Sequence, residues 1–121
     1  MPAESHHQQQ IKLYEMLVAS LPGVQRKGAA NPYTSLNGNM FTFLGKDGSI
    51  GIRLASTDRA RFIAEHSANL AVQYGAVMKE YVAVPEALQG NIPELTRYFA
   101  LSLAYAETLK PKPTTRNKPT A

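Results

Sequence analysis

The apolar positions Ile11, Tyr14, Leu17, Val18 and Leu21 recur at helical spacing, with Lys12, Glu15 and Ser20 off the stripe. They predict a first helix from Gln8 to Ser20. Pro22 and Gly23 end it, and residues 24–28 carry no period beyond a basic Arg26-Lys27 pair. The period then shortens to two. Strands are expected at Tyr33–Leu36 and Asn39–Leu44 around Asn37-Gly38, a pair suited to a type I′ hairpin turn. Gly45-Lys46-Asp47-Gly48 turns the chain into a third strand, Ile50–Leu54, with Ile50, Ile52 and Leu54 on one face and Gly51 and Arg53 on the other.

Ser56 ahead of Thr57 and Asp58 has the chemistry of a helix cap, and a second helix is expected from Thr57 to His66. Two more strands, Ala71–Tyr74 and Tyr81–Val84, are separated by Gly75 and closed by Pro85. A last helix opens near Pro93 and runs to Leu109. The order αβββαββα predicts an α+β fold: two layers, an antiparallel sheet with helices on one face.

The last helix is unusually apolar. Tyr98 to Ala106 contains no charge, and Leu101, Tyr98 and Tyr105 widen the stripe of Leu95, Phe99, Ser102, Ala106 and Leu109 to an arc of about 200°. One face is therefore surplus to a simple core. It is expected to meet either the first helix or a partner, including a second copy of the chain.

At 121 residues the chain suffices for one two-layer core and not for two lobes about a deep cleft. Thirteen Lys and Arg face nine Asp and Glu, but Lys110, Lys112, Arg116 and Lys118 sit in the last twelve residues. The other nine basic groups balance the nine acids, so residues 1–109 are neutral. They form the expected domain, ordered from about residue 8. Residues 110–121, basic and rich in proline, are expected to be a disordered tail. With no cysteine, disulfides, thiolate metal sites and thiol nucleophiles are excluded together. No segment reaches the roughly eighteen apolar residues of a membrane span, and the N-terminus lacks a secretory pattern, so the cytoplasm is the expected location.

Candidate chemistry is sparse. His6 and His7 are neighbours in the chain and do not set up a closed tetrahedral site; His66 ends the second helix, where its cationic form would suit the dipole. Asp47 belongs to a turn and Asp58 to a helix start. Glu80 is the one acid in a strand-like segment and, with Tyr81, the candidate for a small enzyme or ligand binder. Gly45 and Gly48 are spaced as a turn and not as a phosphate loop, and neither a GxSxG elbow nor an HExxH pair occurs. Tyr33, Phe41, Phe43 and Arg53 could stack on single-stranded nucleic acid only if exposed, and a strand apolar on both faces predicts burial.

Several short motifs together carry a resemblance. Residues 10–110 resemble the TfoX (Sxy) N-terminal domain family, named after a regulator of competence for DNA uptake. The matching pieces are Leu36-Asn37-Gly38-Asn39-Met40-Phe41, Ile52-Arg53-Leu54 with Asp58-Arg59-Ala60, Met78-Lys79-Glu80-Tyr81-Val82-Ala83-Val84-Pro85, and Ser102-Leu103-Ala104-Tyr105-Ala106. Where family members have a Met-Phe-Gly segment after basic residues, Arg26-Lys27 is followed here by Gly28-Ala29-Ala30, so any pocket built on that segment is altered. The resemblance implies a secretion-chaperone-like sheet-and-helix fold in a stand-alone version of the domain. It brings no catalytic residues.

The expected function is a non-enzymatic, cytoplasmic, protein-binding domain, possessing neither cofactor nor metal, that acts through the last helix or the open sheet face. Tyr98, Leu101, Tyr105, Arg53 and Lys79 are the candidate contacts. A homodimer is one form this contact would take. The alternatives are nucleic-acid binding through Arg26, Lys27, Lys110, Lys112, Arg116 and Lys118, and ligand binding or catalysis at Glu80.

Overall fold

The structure, a computed structural model, describes residues 6–28, 31–73 and 75–111. The chain runs α1 (His6–Ala19), β1 (Tyr33–Leu36), β2 (Asn39–Leu44), β3 (Ile50–Arg53), α2 (Ser56–His66), β4 (Asn69–Gln73), β5 (Ala76–Ala83), a 3₁₀ turn (Glu86–Leu88) and α3 (Ile92–Thr108). The five strands form one antiparallel sheet in the order β1-β2-β3-β5-β4, which places β4 and β1 at its edges.

Strict alternation sorts β3. Ile50, Ile52 and the following Leu54 are buried in the main core, while Gly51 and Arg53 take the other side. The core joins these to Phe41, Leu44, Val82 and Val84 from the sheet and to Tyr14, Leu17, Val18, Phe62, Leu95, Tyr98 and Phe99 from the helices. Phe43 is buried too, yet stands outside this cluster. It pairs in register with Gly51, on the side the helices leave open.

Under α1 lies a short chain of buried hydroxyls. Tyr14 Oη is 2.7 Å from Thr42 Oγ1, which is 2.6 Å from Thr34 Oγ1. Each buried hydroxyl thus has a partner, which offsets the cost of removing it from water. Burial pushes the Tyr14 phenol up to about 12, against the opposing effect of the threonine hydroxyls and Arg26. Gln10 Nε2 donates to the Gly48 carbonyl at 2.7 Å and pins α1 to the β2–β3 turn.

Helix starts differ from expectation in one case. Ala55 occupies the cap position of α2 with no side-chain hydrogen bond, and Ser56 is already helical. The side-chain cap belongs to α3 instead, where Asn91 accepts from the Glu94 amide at 3.3 Å and Pro93 sits in the first turn. Strand bounds differ more: β5 begins at Ala76, five residues before the expected start, and β4 at Asn69. Gly75, at φ +78, supplies the left-handed residue that lets the two meet as a hairpin.

Candidate functional site

The apolar arc of α3 is filled from within the molecule. Phe99 meets Tyr14 of α1 edge-on at 6.0 Å, and Tyr98 packs edge-on against Phe62 of α2 at 4.7 Å. The underside of the helix lies on the sheet, where Ser102 Oγ donates to the Phe41 carbonyl at 3.0 Å. A helix laid between two others on a sheet needs apolar residues on three sides. The expected contact with the first helix is thus present, joined by contacts with α2 and the sheet. Tyr98 is fully buried, and Leu101 is half-buried against the core.

Tyr105 and Arg53 are likewise engaged. Arg53 Nε donates to Glu80 Oε1 at 2.7 Å and Nη1 to the Met40 carbonyl at 3.3 Å, with the guanidinium 5.6 Å from the Tyr81 ring and 5.9 Å from the Tyr105 ring. Tyr105 Oη donates to Glu80 Oε1 at 3.4 Å. The hydrogen bond from Arg53 and its charge hold the Glu80 carboxyl below the usual range. A general acid or base would need the opposite shift. Arg53, on the opposite side of β3 from the core residues, is the centre of this network; Lys79 of β5 is exposed.

Of the six basic candidates the structure describes Arg26, Lys27 and Lys110. Arg26 Nε lies 3.4 Å from Glu15 Oε2, and Lys27 Nζ donates to Ser35 Oγ at 2.8 Å. The Lys110 carbonyl accepts from Asn39 Nδ2 at 2.8 Å, tying the end of α3 to the first hairpin. Lys112, Arg116 and Lys118 fall outside the described residues, as do the side chains of His6 and His7.

Among the described residues one group has metal-ligand types close together: Glu65, His66 and Glu94. His66 Nε2 is 3.3 Å from Glu94 Oε2, but Arg97 grips both oxygens of that carboxylate, at 3.2 and 3.0 Å, and Tyr98 Oη donates to Glu65 at 3.3 Å. Arg97 holds the Glu94 carboxyl below its usual range. A cation there would compete with a guanidinium already in place, so the cluster joins α2 to α3 and makes a poor metal centre.

The open side of the sheet is different. A hollow of about 630 Å³ is lined by Pro32, Tyr33, Met40, Phe43, Leu44, Ala76 and Met78, with Gly28, Asn31 and Gln73 at its borders. Tyr33 belongs to β1, Met40, Phe43 and Leu44 to β2, Gln73 to β4, and Ala76 and Met78 to β5, while Gly28, Asn31 and Pro32 lie ahead of β1; β3 runs between the two pairs of strands. The β4–β5 hairpin therefore leans across the open face of β3.

Two local features make this possible. Lys79, Glu80 and Tyr81 have no register partner on β4, since Leu70 faces Val82 and the next residue, Ala71, faces Met78; a bulge of that size bends the hairpin. Gly51 supplies no side chain, and Phe43 lies across its place: a Cβ there would collide with the ring. Phe43 also meets Tyr81 at 5.6 Å, and Tyr81 Oη donates to the Met40 carbonyl at 2.6 Å, fixing the floor.

The outside of the same hairpin is exposed. Val72 and Val77 face each other in register and are 55% and 58% accessible. Ser67 to Met78 contains no charged residue or histidine. The two edges of the sheet also differ. Lys27 exchanges backbone hydrogen bonds with Tyr33 at 2.7 and 3.0 Å and covers the start of β1, whereas no described residue pairs with the outer edge of β4.

No helix among the described residues is long and apolar enough to cross a membrane. Comparison of the chain with protein-family models, with curated proteins and with solved structures finds no match in any of the three.

Proposed function

We propose that the protein is a non-catalytic interaction domain of the cytoplasm that accepts a strand of a partner protein along the outer edge of β4. One observation carries the reading: an uncharged edge strand and turn, with Val72 and Val77 more than half exposed and no described residue paired with the outer edge. An edge strand presents a row of unpaired amides and carbonyls, and sheets commonly guard it with lysine, proline or a covering segment. β4, Asn69-Leu70-Ala71-Val72-Gln73, holds neither lysine nor proline, and no described residue pairs with its outer edge. Main-chain pairing would supply affinity and the two valines an apolar contact beside it. A strand from a second copy of the chain satisfies the same chemistry. The regulatory side of the reading, an action on gene expression, rests on the resemblance to TfoX (Sxy) N-terminal domains alone.

The test uses three baits in cells that make the protein: wild type, the Val72→Lys/Val77→Lys double variant, and Met16→Lys, which places charge on an equally exposed residue of α1. Proteins held by wild type and Met16→Lys and lost from the double variant support the reading. The same proteins on all three baits reject it.

A further inference from the structure

We propose that the hollow beneath the β4–β5 hairpin is a binding site for a neutral, mainly apolar small molecule carrying one hydrogen-bonding group. This site is separate from the outer edge of β4 and does not depend on a partner there.

Volume sets the scale. At about 630 Å³ the hollow falls within the range of pockets that hold small ligands, roughly 300–1,000 Å³. The lining sets the chemistry. Its walls are aliphatic, aromatic and thioether groups, and among the described lining residues there is no carboxylate, imidazole, lysine or arginine. A charged ligand would lose its hydration there and gain no counter-charge. The carboxamides of Gln73 and Asn31 offer the polar contact. Water in such a space finds few partners, so an apolar group that displaces it gains free energy.

Part of the site is rigid before any ligand arrives. Phe43 is held between Gly51 and Tyr81, and Tyr81 is locked to the Met40 carbonyl at 2.6 Å. Such pre-ordering lowers the entropy cost of binding. Met40 and Met78, unbranched and polarizable, can adjust to the shape of a guest on opposite sides.

The same two methionines allow the test. In protein labelled with ¹³C at its methionine methyls, Met16 on the exposed side of α1 acts as an internal control. The probe is N-phenyl-1-naphthylamine, with its anionic relative 1-anilinonaphthalene-8-sulfonate as the second arm. The neutral dye is expected to shift the Met40 and Met78 resonances saturably and leave Met16 in place. The sulfonate is expected to bind at least about tenfold more weakly, since its charge goes uncompensated. Ala76→Trp, which fills the mouth from an exposed position, is expected to abolish the shifts, and Val72→Lys/Val77→Lys to retain them. No shift at Met40 and Met78, an equal shift at Met16, or equal binding of the two dyes would overturn the proposal.

Discussion

The two sides of the sheet solve the burial problem in opposite ways. On the helix side β1, β2, β3 and β5 contribute to one continuous core, and α3 is enclosed by α1, α2 and the sheet. On the other side the chain has no helix to spend. A single phenylalanine lies over a glycine, and a bent hairpin roofs the remainder without filling it. A dense core tolerates no missing atoms, whereas a roofed hollow leaves room for something else. Stability should therefore be concentrated on one side and binding on the other.

The sharpest way to break that division is Phe99→Ala. Phe99 is fully buried at the junction of α1 and α3, and its loss is expected to cost about 3–5 kcal/mol, a large share of a small domain's stability. Urea unfolding checks it. A cost near that of a surface change would mean that the helix side is not the densely packed one.

Gly51→Ala attacks the floor of the hollow from the middle of the sheet. The new methyl collides with Phe43, and the ring has to move into the cavity, at a cost of about 1–3 kcal/mol. Unlike Phe99→Ala, this change is expected to weaken binding of the neutral dye more than its effect on folding explains. Equal dye affinity in the folded variant would show that Phe43 is not the floor.

Tyr14→Phe probes the polar interior of the helix side. Thr34 and Thr42 keep each other as partners, so the expected cost near neutral pH is about 1 kcal/mol. The pH dependence is more telling. The folded-state value is raised from an ordinary 10.0 to about 12, so the contribution of the protonated phenol is complete below pH 10 and is lost as pH climbs through about 12. Wild type should lose stability across that interval, and Tyr14→Phe should flatten the loss. Urea midpoints at about pH 8 and about pH 11 decide it.

The legible parts of this fold were those made by neighbours in sequence. Asn37-Gly38 marks a hairpin because the turn needs two left-handed residues, and both have positive φ, 52° and 81°. The alternation of Ile50, Gly51, Ile52 and Arg53 separates two faces without reference to anything else. What α3 touches was not legible in the same way. Its wide apolar arc is plain in the sequence, but a helical projection does not show whether flanking helices or a partner fill it. The hollow was harder still, since Gly28, Tyr33, Met40 and Met78 meet only after the hairpin bends. Two signals pointed toward it: a β2 strand apolar on both faces opposite a glycine, and twelve uncharged residues from Ser67 to Met78. Neither reveals the bulge at Lys79–Tyr81, because register is a relation between strands.

The smallest expected effect is the one that bears most on function. Val72→Lys/Val77→Lys places two charges where both side chains already face water, so its effect on unfolding should stay within about 0.5 kcal/mol. If these valines were part of the packing, the double variant would lose stability along with any partner. Loss of contact without loss of stability would instead assign them to an interface. A cost of several kcal/mol would move the hairpin's outer face into the folded core and leave β4 without a free edge to offer.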